Sequence, residues 1–171
     1  MANVIVTGAT GFIGRNICHF LAKKGHHVRI ITRIGSSYNN FPVPLKDVIA
    51  VDWPYGLRAE IFEDFDIVVH CANSPEIRDY NKAYIENVLS TRLIGKAIEK
   101  KAHLIYISSQ SAHEGINSFY AKNKLASEKY IKEEFSGKWT IIRPGFVYGP
   151  GAKGLFARMQ SLVNTLPIIP F

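Results

Sequence analysis

Short apolar runs alternate with stretches of helical periodicity along the chain. Asn3-Val4-Ile5-Val6-Thr7 is a short apolar run ending in glycine, as a buried parallel strand does. From Phe12 to Lys24 the apolar residues Ile13, Ile17, Phe20 and Leu21 recur at helical spacing, and Gly25 supplies a C-terminal stop. Further strands are expected at His27–Thr32, Asp47–Asp52, Asp66–Cys71, His103–Ile107 and Trp139–Arg143, the last halted by Pro144. Residues 33–46, rich in Gly, Ser, Asn and Pro, read as a loop. A short helix is expected between Leu57 and Glu63, long ones over Arg78–Lys101 and Asn117–Phe135, and another over 155–165. Repeated strand–helix–strand units require a parallel sheet, because parallel neighbours need a crossover. Right-handed crossovers place helices on both of its faces.

The 171 residues suffice for one domain with a proper core, spanning 1–171 without repeat or linker. With 47% hydrophobic and 20% charged residues, the composition is that of an ordinary globular protein. No apolar run reaches the length of a membrane span, and Val4-Ile5-Val6 is too short and lacks the basic flank of a signal peptide. Cys18 and Cys71 make neither a disulfide framework nor a metal cluster, so no metal is expected and a reducing cytoplasm is the simplest setting. The net charge of +7 invites a nucleic-acid partner, yet Lys and Arg are scattered rather than blocked. Residues 1–46 hold Arg15, Lys23, Lys24, Arg29, Arg33 and Lys46 but no Asp or Glu. That asymmetry favours a phosphorylated ligand over nucleic acid.

Thr7-Gly8-Ala9-Thr10-Gly11-Phe12-Ile13-Gly14 joins the first strand to the first helix. Gly8 permits a tight turn, Gly11 lets backbone approach a pyrophosphate, and Gly14 lets the helix pack against the strand. The helix N-terminus, with its free N–H groups and dipole, then faces the anion. Gly8, Thr10, Gly11, Phe12, Ile13 and Gly14 are therefore candidate cofactor-binding residues. The expected fold class is α/β, a Rossmann-like doubly wound parallel sheet covered on both faces. In such folds an acid near the end of the second strand binds the NAD ribose, whereas an Arg accommodates the 2′-phosphate of NADP. Here Thr32-Arg33 stands at that point with no acid nearby in sequence, so NADP(H) is expected in preference to NAD(H). The plainer alternative makes Arg33 a surface loop residue.

The spacing T-G-x-x-G-x-x-G resembles the short-chain dehydrogenase/reductase superfamily, and further matches follow in order. Asp52, with Trp53 beside it, closes the third strand where that family sets an acid against the adenine amino group. His70-Cys71-Ala72-Asn73 resembles the family's H-x-A-A/G, which flanks the cofactor. Asn87 matches an Asn that usually stabilises its helix and a proton-relay water. Ser108-Ser109 ends the fifth strand, and Tyr120-Ala121-Lys122-Asn123-Lys124 is similar to Y-x-x-x-K. Arg143-Pro144-Gly145-Phe146-Val147-Tyr148-Gly149-Pro150 resembles the R-P-x-x-V-Y-G-P of the NAD-dependent epimerase/dehydratase group, where Pro144 and Val147 correspond to cofactor contacts. The resemblance implies cofactor contacts from Cys71, Ala72, Asn73, Tyr120 and Lys124 as well. It also implies catalytic roles for Ser109, Tyr120, Lys124 and Asn87, a small-molecule substrate and a homodimer. Phe146 stands where nucleotide-sugar members often carry an Asn, which counts against a sugar nucleotide. Members of the group continue with another strand and a substrate-binding lobe. Residues 151–171 are accordingly expected to begin the region leading to a lobe this chain lacks.

The chemistry is coherent on its own terms. Tyr120 and Lys124 lie four apart and share one helix face. A phenol with a pKa of about 10 is a poor base at neutral pH, and a nearby ammonium favours the phenolate. Tyr120 then exchanges a proton with a substrate hydroxyl or carbonyl while hydride moves to or from nicotinamide. Ser109, with Ser111 as the alternative, hydrogen-bonds the same oxygen. The expected function is an NAD(P)-dependent oxidoreductase or epimerase/dehydratase that moves hydride between nicotinamide and a hydroxyl or carbonyl carbon, with a sugar nucleotide still among the candidate substrates. A non-catalytic NADP-binding scaffold or redox sensor is the alternative. Neither nucleic acid nor membrane is expected as a partner.

Overall fold

The computed structural model of the chain describes residues 1–37, 41, 43–74, 79–98, 101–152, 163 and 165. Six strands are placed: β1 (Asn3–Thr7), β2 (His27–Arg33), β3 (Val48–Val51), β4 (Ile67–His70), β5 (His103–Ile107) and β6 (Trp139–Ile142). They form one sheet in the order β3-β2-β1-β4-β5-β6, every pairing parallel. This order reverses direction at β1, and the crevice beyond the carboxyl ends of β1 and β4 is where such folds bind ligand. The expected Rossmann-like α/β sheet is thus observed.

Alternation along the strands divides the core. Val4 and Val6 of β1, with Val28 and Ile30 of β2, pack with Ile13, Ile17 and Leu21 of helix α1 (Phe12–Lys23). Ile5, Ile31, Val68, Leu104 and Tyr106 face the other way, against Ile94, Ile98, Tyr130 and Ile131. Those residues belong to α3 (Ser90–Ile98) and α4 (Phe119–Glu133). A strand's period of two therefore feeds two helical layers, as a sheet covered on both faces requires.

The expected helix over Arg78–Lys101 is divided in three: α2 (Tyr80–Tyr84), a π turn (Ile85–Leu89) and α3. Asp79 caps α2, its carboxylate accepting from the Lys82 N–H at 2.7 Å. The hydroxyls of Ser90 and Thr91 both donate to the Asn87 carbonyl, at 3.1 and 2.9 Å. Such side-chain bonds compete with the backbone ladder and accompany its widening here. The short helix expected over Leu57–Glu63 is a 3₁₀ turn at Ala59–Phe62, and Asp47 belongs to a 3₁₀ turn at Leu45–Asp47 rather than to β3. Ser118 caps α4 by accepting from Ala121 N–H at 3.1 Å, so that helix starts two residues after Asn117. The helix expected over 155–165 lies outside the described residues except at Val163 and Thr165.

Candidate functional site

The loop between β1 and α1 is built from backbone constraints. Gly8 has φ +66°, and a Cβ there would lie 2.5 Å from the Ala72 nitrogen. A side chain is excluded both by conformation and by space. A Cβ on Gly14 would overlap the Gly8 carbonyl. Gly11 differs, since its Cβ would meet only the Gly8 oxygen at 3.2 Å. Gly11 is the N-cap of α1, and neither a side-chain cap nor an acid in the first turn occupies that end. The helix therefore opens onto the cleft with backbone N–H groups that can receive an anion.

A cleft of about 330 Å³ lies above this loop. Gly8, Thr10 and Gly11 form its floor, with Arg33 and Trp53 on the β2–β3 side and Cys71, Ala72, Asn73 and Ser74 on the β4 side. Most residues expected around a cofactor's adenosine and pyrophosphate thus share one cavity. Asp52 is exposed and does not line that cleft, whereas its neighbour Trp53 does. Trp53 donates through Nε1 to the Glu86 carbonyl at 3.0 Å. Arg33 has an acid close in space after all. Its Nη1 lies 3.4 Å from Glu86 Oε2, and its Nη2 donates to Ser74 Oγ at 3.2 Å. Glu86 is 53 residues further along the chain, so proximity in sequence could not show the pair.

Behind the cleft, His70 is fully buried between Thr7 and Thr91. Its Nδ1 is 2.7 Å from Thr7 Oγ1 and its Nε2 3.1 Å from Thr91 Oγ1. Thr91 spends its proton on the Asn87 carbonyl, so His70 carries its proton on Nε2 and accepts at Nδ1 from Thr7. Desolvation, assisted by the positive Lys124, pushes the imidazole down to about 3 and keeps it neutral. His70 thereby ties β1, β4 and α3 together under the site. Cys71 is equally unreactive, because burial pushes its thiol up to about 12.

Lys124 is almost completely buried and donates through Nζ to the Ile107 carbonyl at 2.7 Å. Its ammonium lies 4.8 Å from the Tyr106 ring centroid and 6.0 Å from that of Tyr120. Desolvation lowers its pKa to about 8, with Cys71 and Glu128 opposing the fall. Lys124 consequently remains predominantly cationic at neutral pH. Tyr120 is half-buried one turn earlier. Of the two serines after β5, Ser108 is consumed: buried, it donates to Glu128 at 2.6 Å. Ser109 Oγ accepts from Ser111 N–H at 3.2 Å and lies 2.8 Å from Ser111 Oγ. With Ser111 donating, the Ser109 proton is left for a ligand oxygen. Asn87 is buried, and its side chain accepts from Ser74 N–H at 2.7 Å and donates to Ala83 O at 2.9 Å. It clamps the β4 loop to the π turn. Pro144 accepts from Gln110 N–H at 3.1 Å, while Val147 is exposed.

Sequence reasoning missed Glu128, Glu86 and Ser74. Glu128 lies four residues after Lys124 and so on its helix face, but nothing local marks it as buried. No group of three or more His, Cys, Asp or Glu among the described residues could hold a metal. No helix among them is long and apolar enough to cross a membrane.

A 3-2-1-4-5-6 parallel sheet with a glycine loop at its switch point defines a Rossmann-type, dinucleotide-binding class of domain. The family model described as "NAD dependent epimerase/dehydratase family" matches residues 4–165, and the chain belongs to that family. It is 28% identical over 170 residues to the ceramide reductase of Caulobacter vibrioides, covering 98% of this chain and 53% of that protein. It is 25% identical over 195 residues to the UDP-glucose 4-epimerase of Vibrio cholerae, covering 99% and 59%. Among solved structures, the Bordetella bronchiseptica enzyme WbmH in complex with NAD+ superimposes with a TM-score of 0.79 at 22% identity. That match covers 96% of this chain and 63% of WbmH. The chain spans little more than half the length of the curated relatives named here.

Proposed function

We propose that this chain is the cofactor-binding and proton-transfer part of an NAD(P)-dependent oxidoreductase or epimerase/dehydratase. Its target is a hydroxyl or carbonyl carbon of a small molecule. The observation that carries this reading is the buried Lys124 ammonium beside the Tyr120 ring, on the helix that packs behind β5. Desolvation of this cation is unfavourable, and the Ile107 carbonyl offsets that only in part. Beside a phenol it favours the charged form of that phenol.

The uncapped start of α1 suits a pyrophosphate at Gly11, Phe12 and Ile13, with Thr10 at the cleft floor. Trp53, Cys71, Ala72 and Asn73 wall the cofactor, and Pro144 and Val147 stand toward the nicotinamide end. Asp52, exposed beside Trp53 at the rim of the cleft rather than in its lining, is proposed to meet the adenine amino group from outside. When bound, the nicotinamide supplies or removes hydride. Tyr120 gives or takes the proton at the substrate oxygen, Ser109 donates a hydrogen bond to the same oxygen, and Lys124 holds the phenolate. Asn87 keeps the π turn and the Ser74 loop in register. Arg33 takes the 2′-phosphate, so that NADP(H) binds more tightly than NAD(H).

The relatives named above include a UDP-glucose 4-epimerase, which keeps a sugar nucleotide among the candidate substrates. Phe146 supplies no amide for one. A homodimer and a cytoplasmic setting complete the reading. The test is calorimetric titration with NADPH and NADH, followed by turnover with a panel of carbonyl and hydroxyl substrates. Binding of NADPH together with turnover abolished by Tyr120→Phe supports the proposal. Binding without turnover on any substrate replaces it with a cofactor-binding scaffold.

A further inference from the structure

We infer that Glu86, presented from the π turn across the cleft, is a specificity-determining residue that holds the Arg33 fork against Ser74 and so opposes a cofactor's 2′-phosphate. This inference rests on the dinucleotide-binding reading above.

Three residues that line the cleft are hydrogen-bonded to Glu86. Trp53 donates to its carbonyl at 3.0 Å, and Ser74 Oγ donates to its Oε2 at 3.3 Å. Arg33 Nη1 reaches the same Oε2 at 3.4 Å, while its Nη2 is spent on Ser74 Oγ at 3.2 Å. Both terminal nitrogens of the guanidinium are therefore engaged before any ligand arrives. The arrangement also has direction. Arg33 ends β2 and Ser74 follows β4, and in the sheet order these two strands flank β1. The Arg33–Ser74 bond therefore links the two walls of the cleft.

The π turn makes this possible. Glu86 and Asn87 are consecutive, and both reach Ser74, Glu86 at the hydroxyl and Asn87 at the backbone N–H. Asn87 fixes the loop and Glu86 fixes the side chains upon it. The Glu86 side chain is mostly buried at 14% exposure, whereas that of Arg33 is 54% exposed. The carboxylate is the anchored partner and the guanidinium the movable one.

Consider then the 2′-substituent at the end of β2. A ribose hydroxyl is neutral and meets a guanidinium already satisfied by Glu86 and Ser74. A 2′-phosphate must instead share Arg33 with a carboxylate and lie within a few ångströms of a like charge. An exposed ion pair is weak, so the phosphate can still draw Arg33 away. The acid that the second strand lacks in sequence is thus supplied from another element, and it moderates a preference that Arg33 alone would make steep.

The experiment measures NADPH and NADH dissociation constants for the wild-type chain, Glu86→Gln, Arg33→Ala and the double variant, at low and high salt. Glu86→Gln keeps the shape and removes the charge. It is expected to tighten NADPH by roughly two- to fivefold, the range set by a screened, partly exposed charge pair, and to leave NADH unchanged. The gain should shrink at high salt and vanish in the double variant, because it acts through Arg33. Ser74→Ala, which frees the second nitrogen of the fork, should move the NADPH-to-NADH ratio in the same direction by less. An unchanged ratio in Glu86→Gln, with wild-type dinucleotide binding intact, overturns this inference and leaves the cofactor-binding reading standing. Failure of the wild type to bind either nucleotide overturns both.

Discussion

The Glu128 carboxylate receives one guanidinium with both oxygens: Arg143 Nε donates to Oε1 at 2.7 Å and Nη2 to Oε2 at 2.6 Å. Glu128 is fully buried and also accepts from Ser108 and, at 3.2 Å, from Lys132. The cluster joins the ends of β5 and β6 to α4, one turn from Lys124. Desolvation by itself would raise the Glu128 carboxyl, but the hydrogen bonds from Arg143, Ser108 and Lys132 outweigh it and hold the group below the usual carboxylate range.

Replacing Glu128 with Ala should therefore destabilise the fold by about 1.5–3 kcal/mol, the scale of a hydrogen bond to a charged group, because the buried Ser108 hydroxyl loses its acceptor while the half-exposed Arg143 and Lys132 are left to solvent. A carboxylate held low contributes stability that is present above its unfolded pKa and lost as the pH falls through the folded one. Urea unfolding of wild type and variant should accordingly converge on acidification. A constant difference down to strongly acid pH would show that packing, not charge, is what Glu128 supplies.

Lys124 titrates in the opposite direction. Its folded pKa, about 8, is below the unfolded value of 10.5, so the unfolded chain holds more protons between them. Stability should rise with pH across that interval, by about 3 kcal/mol in all. The buried thiols of Cys18 and Cys71, both raised from 9.0 to about 12, work against this gain above pH 9. The informative quantity is thus the difference between wild type and Lys124→Met in denaturant unfolding from pH 7 to 10.5. Parallel curves would contradict a cationic, buried Lys124.

Tyr120→Phe removes one hydroxyl from a half-buried ring and should leave folding and NADPH affinity nearly unchanged. In the form of the protein that turns over, the rate should fall by about 10²–10⁴-fold, the range for a general acid–base group. Full activity in the Phe variant would remove Tyr120 from the mechanism.

Gly14 and Gly11 of the loop should separate by phenotype. Gly14→Ala drives a Cβ into the Gly8 carbonyl and should lower stability by about 1–3 kcal/mol, the scale of overpacking. Gly11→Ala meets one oxygen at 3.2 Å, which a small shift relieves, so its melting temperature should stay within a few degrees. The same methyl stands where backbone must approach a pyrophosphate, and NADPH affinity should drop by about tenfold or more. A Gly11→Ala variant that melts normally and binds normally would move the phosphate away from this loop.

Much of the fold was legible in the chain because its signals are local. Continuous apolar runs such as Val4-Ile5-Val6 and Ile67-Val68-Val69 mark strands covered on both faces, and the spacing of Gly8, Gly11 and Gly14 marks the turn, of which Gly8 and Gly14 leave no room for a side chain. The four-residue spacing of Tyr120 and Lys124 likewise follows from helical geometry alone. The single helix expected over Arg78–Lys101 was not legible as three pieces. Its π turn is associated with bonds from Ser90 and Thr91 to the Asn87 carbonyl, with Ser127 of α4 also in reach at 3.4 Å. That last contact exists only when α4 is docked.

Pairings across the sheet were equally hidden. Arg33 looks free of acids in sequence, yet Glu86 arrives from 53 residues away, and Ser108 and Ser109 are indistinguishable until Glu128 takes one of them. By itself the sequence determined the parallel α/β class, the glycine loop and the shared helix face of Tyr120 and Lys124, since each depends on spacing within one element. Only the tertiary structure decided the charge environment of Arg33, the burial of Lys124 and the partner of Ser108. Those depend on which elements the 3-2-1-4-5-6 order brings together, and a side chain's electrostatics are set by its neighbours in space.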